Sequence, residues 1–101
     1  MTEYIPFEPE MVGRDEIIIW CPDELKSEMT KELMALGCKW LGGQSLDEYI
    51  ATGKSYHVRL DKLVTRSPKD WYEEIYARRH LCLFVEYGTR KEESVYVVDL
   101  I

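Results

Sequence analysis

The run Ile17, Ile18, Ile19 and Trp20 constrains this chain more than any other feature. Consecutive β-branched side chains disfavour helix and suit a strand. An apolar run without alternation suits a strand covered on both faces, so this one is expected at the centre of a sheet. Pro22 stops it. Asp23 is then placed to cap a helix, and Leu25, Met29, Leu33 and Leu36 follow at spacings of four, four and three. Asp23, Glu24 and Glu28 lie toward the positive end of that helix dipole, and Gly37 suits its C-terminal cap.

The rest of the chain supplies partners for this strand and helix. Residues 1–14, with Pro6 and Pro9 around Phe7 and no regular period, read as an extended N-terminal arm anchored by Tyr4, Ile5 and Phe7. Residues 15–101 read as one α/β domain. Cys38 to Leu41 is a short extended piece ending at the turn Gly42-Gly43, and Ser45-Leu46-Asp47-Glu48 matches a capping box opening a short helix that Gly53 can end. From Ser55 to Leu60 the pattern alternates, with Tyr56, Val58 and Leu60 on one face and His57 and Arg59 on the other; a turn at Asp61-Lys62 leads to a strand at Leu63 to Arg66. Ser67-Pro68 then reads as a cap with proline at the first helical position, and Trp71, Tyr72, Ile75 and Tyr76 line one side of a second helix ending near Arg78, Arg79 and His80. Leu81 to Tyr87 and Ser94 to Leu100 are expected as two final strands joined by a loop from Gly88 to Glu93. The order β-α-β-β-α-β-β plus one short helix predicts an α+β fold, two-layer, with helices packed on a small mixed or antiparallel sheet.

Charge separates the chain into unlike halves. The formal net charge is −6, and residues 1–50 carry 11 acids against 4 bases, whereas residues 51–101 carry 8 against 9. A negative field of this kind repels nucleic acid, so direct nucleic-acid binding is not expected, and it attracts basic protein surfaces. The longest apolar runs, Ile17 to Cys21 and Leu81 to Val85, fall far short of the ~20 residues that a membrane span needs. No basic region followed by an apolar run opens the chain, and Cys21, Cys38 and Cys82 show no paired spacing, so a reducing cytoplasm is the expected compartment.

Several constellations fail on their own chemistry. Thr52-Gly53-Lys54-Ser55 ends like a phosphate-binding loop, but Glu48 stands where the first glycine belongs and a strand follows in place of a helix. His80 and Cys82 make a single close pair where a zinc site needs two, so no metal and no cofactor are expected. A Cys38–His57–Asp61 nucleophile set lacks an activating neighbour, because Cys38 follows the negative end of a helix. The carboxylate pairs Glu73-Glu74 and Glu92-Glu93 have no cleft implied by the pattern. Arg59, Lys62, Arg66, Lys69, Arg78 and Arg79, interleaved with Tyr72 and Tyr76, form a basic aromatic set without a nucleic-acid fingerprint. Catalysis is therefore not expected.

The segment Glu16 to Tyr56 resembles a unit of small phage-encoded proteins, in which a strand leads to a helix ending in a Leu-Gly-x-Lys-Trp-x-x-Gly-like run. Here that run is Leu36, Gly37, Cys38, Lys39, Trp40, Leu41, Gly42 and Gly43. The resemblance implies a phage or mobile-element accessory role of the anti-CRISPR or anti-defence type, in the host cytoplasm; it supplies no site residues.

Two binding readings follow. In the first, a non-catalytic inhibitor docks an acidic surface built from Glu24, Glu28, Glu32, Asp47 and Glu48 on a basic host protein or nucleoprotein; the first three stand at i, i+4 and i+8 on the first helix. In the second, Trp40, set between Gly37 and Gly42-Gly43, works with Lys39 and Lys54 to hold a nucleotide-like small ligand, in an oligomer. The edges of the final hairpin offer a route to a homodimer.

Overall fold

The computed structural model describes residues 3–88. The expected strand Ser94 to Leu100, the loop beyond Gly88 and the pair Glu92-Glu93 lie outside the described residues. Among the described residues a mixed six-stranded sheet carries two α-helices, the α+β arrangement that the element pattern predicts. The strands are β1 (Ile5–Pro6), β2 (Ile17–Trp20), β3 (Lys39–Trp40), β4 (Lys54–Val58), β5 (Leu63–Pro68) and β6 (Leu83–Glu86); the helices are α1 (Lys26–Ala35) and α2 (Lys69–Glu74). Short 3-10 turns at Pro9–Met11, Asp23–Leu25, Leu46–Glu48 and Tyr76–Arg78 join them.

The sheet order is β1-β6-β2-β4-β5-β3. As the isoleucine run demands, β2 lies inside the sheet, parallel to β6 and antiparallel to β4, with Ile17, Ile18 and Ile19 wholly enclosed. Side chains alternate across a strand, so Ile17 and Ile19 face one core and Ile18 the other. The larger core holds Met29 and Leu33 of α1 against Ile19, Tyr56, Val58 and Val85. The smaller holds Ile18 and Phe84 under Tyr72 and Tyr76. Thus α1 and the sheet make the main two-layer body, and the short α2 covers part of the opposite face.

That second cover changes the reading of β4. His57 was expected on an outward face, yet it is buried beside Tyr72 and Tyr76, because α2 and the turn after it sit over that side. Leu60, expected inside, is exposed, since β4 ends at Val58 and Leu60 lies in the turn to β5. The helical face of α2 also narrows. Tyr72 is buried and Tyr76 half-buried, but Trp71 and Ile75 are exposed, because a helix of six residues presents only one row to the sheet.

Three local starts differ from expectation. Asp23 does not cap α1; its Oδ1 accepts from Gly53 N–H at 2.8 Å and from Lys26 Nζ at 3.1 Å, and a 3-10 turn leads into the helix instead. Ser67 stays in β5, paired with Ser55, and α2 begins only after Pro68. His80 and Cys82 precede β6 and are not on a strand. The arm is extended where expected, and Ile5–Pro6 joins the sheet parallel to β6, with Phe7 N–H donating to Glu86 carbonyl oxygen at 3.1 Å.

Candidate functional site: an acidic helix face and an aromatic cleft

The residues singled out in the sequence fall on two surfaces. Helix α1 buries Lys26, Met29, Thr30 and Leu33, which leaves Glu28 exposed and Glu32 half-exposed on its solvent side. Glu24 is exposed in the 3-10 turn preceding the helix. The Tyr87 hydroxyl reaches both helix acids, at 2.7 Å from Glu32 Oε1 and 3.2 Å from Glu28 Oε2. Asp47 sits alongside α1 on a shallow groove of about 300 Å³ shared with Ser27, Lys31 and Met34, and accepts from Ser45 Oγ at 2.7 Å. Glu28 and Glu32 therefore lie on the flank of α1 that meets Tyr87, Asp47 lies beside the flank that carries Ser27, Lys31 and Met34, and Glu24 stands at the start of the helix.

Ion pairing is directed elsewhere. The salt bridges between described residues are Arg14–Asp15, Lys26–Asp23, His57–Glu16, Arg59–Asp61 and Lys69–Glu73. Glu24, Glu32, Asp47 and Glu48 take no Lys or Arg partner among the described residues.

Glu48 leaves this group. Its Oε2 accepts from Ser45 N–H at 3.2 Å, the side-chain half of the expected capping box, and its carboxylate faces a cleft of about 490 Å³ with Trp40, Leu41, Gln44, Tyr49 and Arg66. The cleft forms where β3 pairs with β5. Trp40 stands opposite Val64, and Arg66, two residues further along β5, shares its face. The Arg66 guanidinium carbon lies 4.6 Å from the centroid of Tyr49 and 5.3 Å from that of Trp40, within cation–π range of both. Ala51 N–H donates to the Tyr56 hydroxyl at 2.9 Å, pinning the segment that carries Tyr49. Trp40 is buried, and its indole Nε1 has no hydrogen-bond partner among the described residues.

Of the ligand set expected from the sequence, only Trp40 lines this cleft. Lys39 alternates to the other face of β3, and Lys54 opens β4 opposite Pro68. The cation present is Arg66. Sequence reasoning missed it, with Tyr49 and Gln44, because the parallel β3–β5 pairing that brings them together leaves no local trace. The outer edge of β3 is closed by its own turn: Trp40 N–H donates to Gln44 carbonyl oxygen at 2.9 Å and Gly43 N–H to Trp40 carbonyl oxygen at 2.8 Å. Strand addition at that edge is blocked.

The nucleophile set does not assemble. Cys38 packs in the core under α1, where burial pushes its thiol up to about 11, while His57 faces the other side of the sheet. Burial likewise raises the Cys21 thiol to about 12. His57 Nε2 lies 2.8 Å from Glu16 Oε1 and 3.4 Å from the Tyr76 hydroxyl, an interaction that ties the turn after α2 to the sheet. Among the described residues no cluster of His, Cys, Asp or Glu is arranged to hold a metal ion, and no helix is long and apolar enough to cross a membrane. No family model matches the chain, no curated protein matches it, and no solved structure matches it.

Proposed function

We propose that this chain is a non-catalytic binding protein that docks the acidic side of α1 on a basic surface of a protein or nucleoprotein and inhibits it, in the manner of small phage-encoded anti-defence proteins. The observation that carries this reading is the disposition of charge. The intramolecular ion pairs engage Asp15, Asp23, Glu16, Asp61 and Glu73, while Glu24, Glu32 and Asp47, on or beside α1, have no basic partner among the described residues. Carboxylates left unneutralised beside one another steer a cationic partner and set its register. The resemblance of Leu36 to Gly43 to phage accessory proteins supports the inhibitory role.

The test removes charge and keeps shape. Glu24→Gln, Glu28→Gln, Glu32→Gln and Asp47→Asn together leave an acceptor oxygen for Tyr87 and for Ser45. Quantitative affinity capture from host extract, with the wild-type and the neutralised chain compared at equal concentration, should recover a basic partner with the first and about tenfold less or none with the second. Equal recovery by both would end the docking proposal.

A further inference from the structure

The cleft at Trp40 is separate from the docking face, and its chemistry makes three demands of an occupant. The first is an anion. Arg66 has one face laid against Tyr49 and Trp40 and makes no ion pair among the described residues, so its N–H edge is available for bidentate bonding to oxygen. The second is a flat or apolar body. Tyr49 is 50% exposed and Leu41 49% exposed, large surfaces for a folded protein to leave in water at the mouth of a concavity. The third is a hydrogen-bonding rim. Glu48 holds the Ser45 amide with one carboxylate oxygen and offers the other, and the Gln44 amide lies across Gly42.

An anion joined to a planar ring with polar edges satisfies all three, and about 490 Å³ accommodates one such molecule. The polymer form of the same chemistry is disfavoured, because a chain with 19 acids and 13 bases repels a polyanion. We infer that the Trp40 cleft is a binding site for a free nucleoside monophosphate, with its phosphate on the Arg66 edge and its base against Tyr49 and Leu41. The Glu48 carboxylate sets the direction of entry, since a phosphate placed on its side would meet like charge and a ribose hydroxyl or base amine would meet an acceptor.

The indole N–H region of a heteronuclear NMR spectrum reads this site directly. The chain has three tryptophans, and Trp40→Phe identifies the Trp40 signal. Titration with AMP, GMP, CMP and UMP should move the Trp40 indole signal for at least one of them. The corresponding nucleoside should bind about tenfold or more weakly, as expected for loss of a charge-assisted bond. Arg66→Met, at an exposed position, should erase that difference, and Tyr49→Ala should weaken nucleotide and nucleoside alike. Neutralising the α1 acids should leave the titration unchanged, which separates this site from the docking face. The proposal is overturned if the Trp40 signal stays still with all four nucleotides at millimolar concentration. It is equally overturned if Arg66→Met binds as the wild type does, if inorganic phosphate alone gives the full response, or if a short oligonucleotide binds more tightly than any monomer.

Discussion

The Tyr87 hydroxyl lies 2.7 Å from Glu32 Oε1, which fastens the chain just beyond β6 to the acidic side of α1. Glu28 Oε2, at 3.2 Å, is a second acceptor for the same proton. One phenolic hydrogen thus helps to hold two carboxylates in place on the face proposed to dock. Tyr87 is itself buried against Phe7, so this polar contact stands at the margin of the main core.

This contact predicts an alkaline limit to stability. Burial first, and then the hydrogen bond and charge of Glu32, push the Tyr87 phenol well above its ordinary value; burial and Glu73 do the same for Tyr4, whose hydroxyl donates to Glu73 at 2.6 Å. A raised pKa means that the folded state holds the proton more tightly. The stabilisation is therefore complete below the unfolded phenol value of about 10 and declines as pH rises above it. Denaturant midpoints measured from pH 7 upward should begin to fall at about pH 8.5, where the unfolded Cys21 and Cys38 thiols ionise while burial keeps the folded ones protonated, and fall more steeply above about pH 10 as the phenols join them. Tyr87→Phe, which removes the hydroxyl, should cost about 1–2 kcal/mol at neutral pH and make the alkaline fall shallower.

Asp23 predicts the opposite limb. The Gly53 N–H, followed by Lys26, holds its carboxyl below the usual carboxylate range. A depressed value contributes stability above the unfolded pKa, about 4, and loses it as pH falls through the folded one. Asp23→Asn should leave stability at neutral pH lower than wild type and flatten the dependence below about pH 4. A wild-type acid limb unchanged by the substitution would show that the Gly53 and Lys26 contacts do not operate in solution.

The end of α1 is set by Gly37. Its φ of +93° lies in the left-handed region, Gly37 N–H donates to Met34 carbonyl oxygen at 3.0 Å, and Cys38 N–H donates to Leu33 carbonyl oxygen at 3.0 Å. This is the paired bonding of a Schellman cap. An added Cβ would meet Lys62 Cδ at 3.7 Å, an ordinary contact, so the cost of Gly37→Ala comes from backbone conformation and not from a clash. Chemical denaturation should register a loss of about 1–2 kcal/mol.

On α2, neighbouring aromatic residues should behave very differently. Tyr72 is 2% exposed and belongs to the smaller core, whereas Trp71 is 44% exposed. Tyr72→Ala should cost about 3–5 kcal/mol. Trp71→Ala, which loses an edge contact with Tyr72 and a tilted one with Tyr76 at a 44% exposed position, should cost under about 1.5 kcal/mol. Similar losses at both positions would contradict the observed seating of the helix.

How much of this was legible in advance depended on whether the deciding contact was local. The isoleucine run announced an interior strand, the Leu25–Met29–Leu33 spacing announced α1, and Gly37 announced its end, because each depends on neighbours within one or two turns. His57, Trp71 and Ile75 were placed on the wrong sides, since their burial depends on α2 crossing the second face of the sheet. The same limit governs the sites. Glu28 and Glu32 follow from helical spacing, but Glu24 falls in the 3-10 turn before α1, and Glu48, grouped with them by sequence, faces the cleft. Arg66 was assigned to a general basic set because only the β3–β5 register lays it over Trp40 and Tyr49.

The account turns on the negative charge of the α1 side acting as the docking surface, and the salt dependence of partner affinity tests it most directly. With the captured partner purified, Kd measured by calorimetry should weaken by about tenfold or more between low and roughly 0.5 M salt, where screening shortens to a few ångström. The chain neutralised at Glu24, Glu28, Glu32 and Asp47 should bind more weakly at low salt and show a much flatter dependence. An affinity that holds constant across the salt series, or a neutralised chain that follows the wild-type curve, would contradict the account.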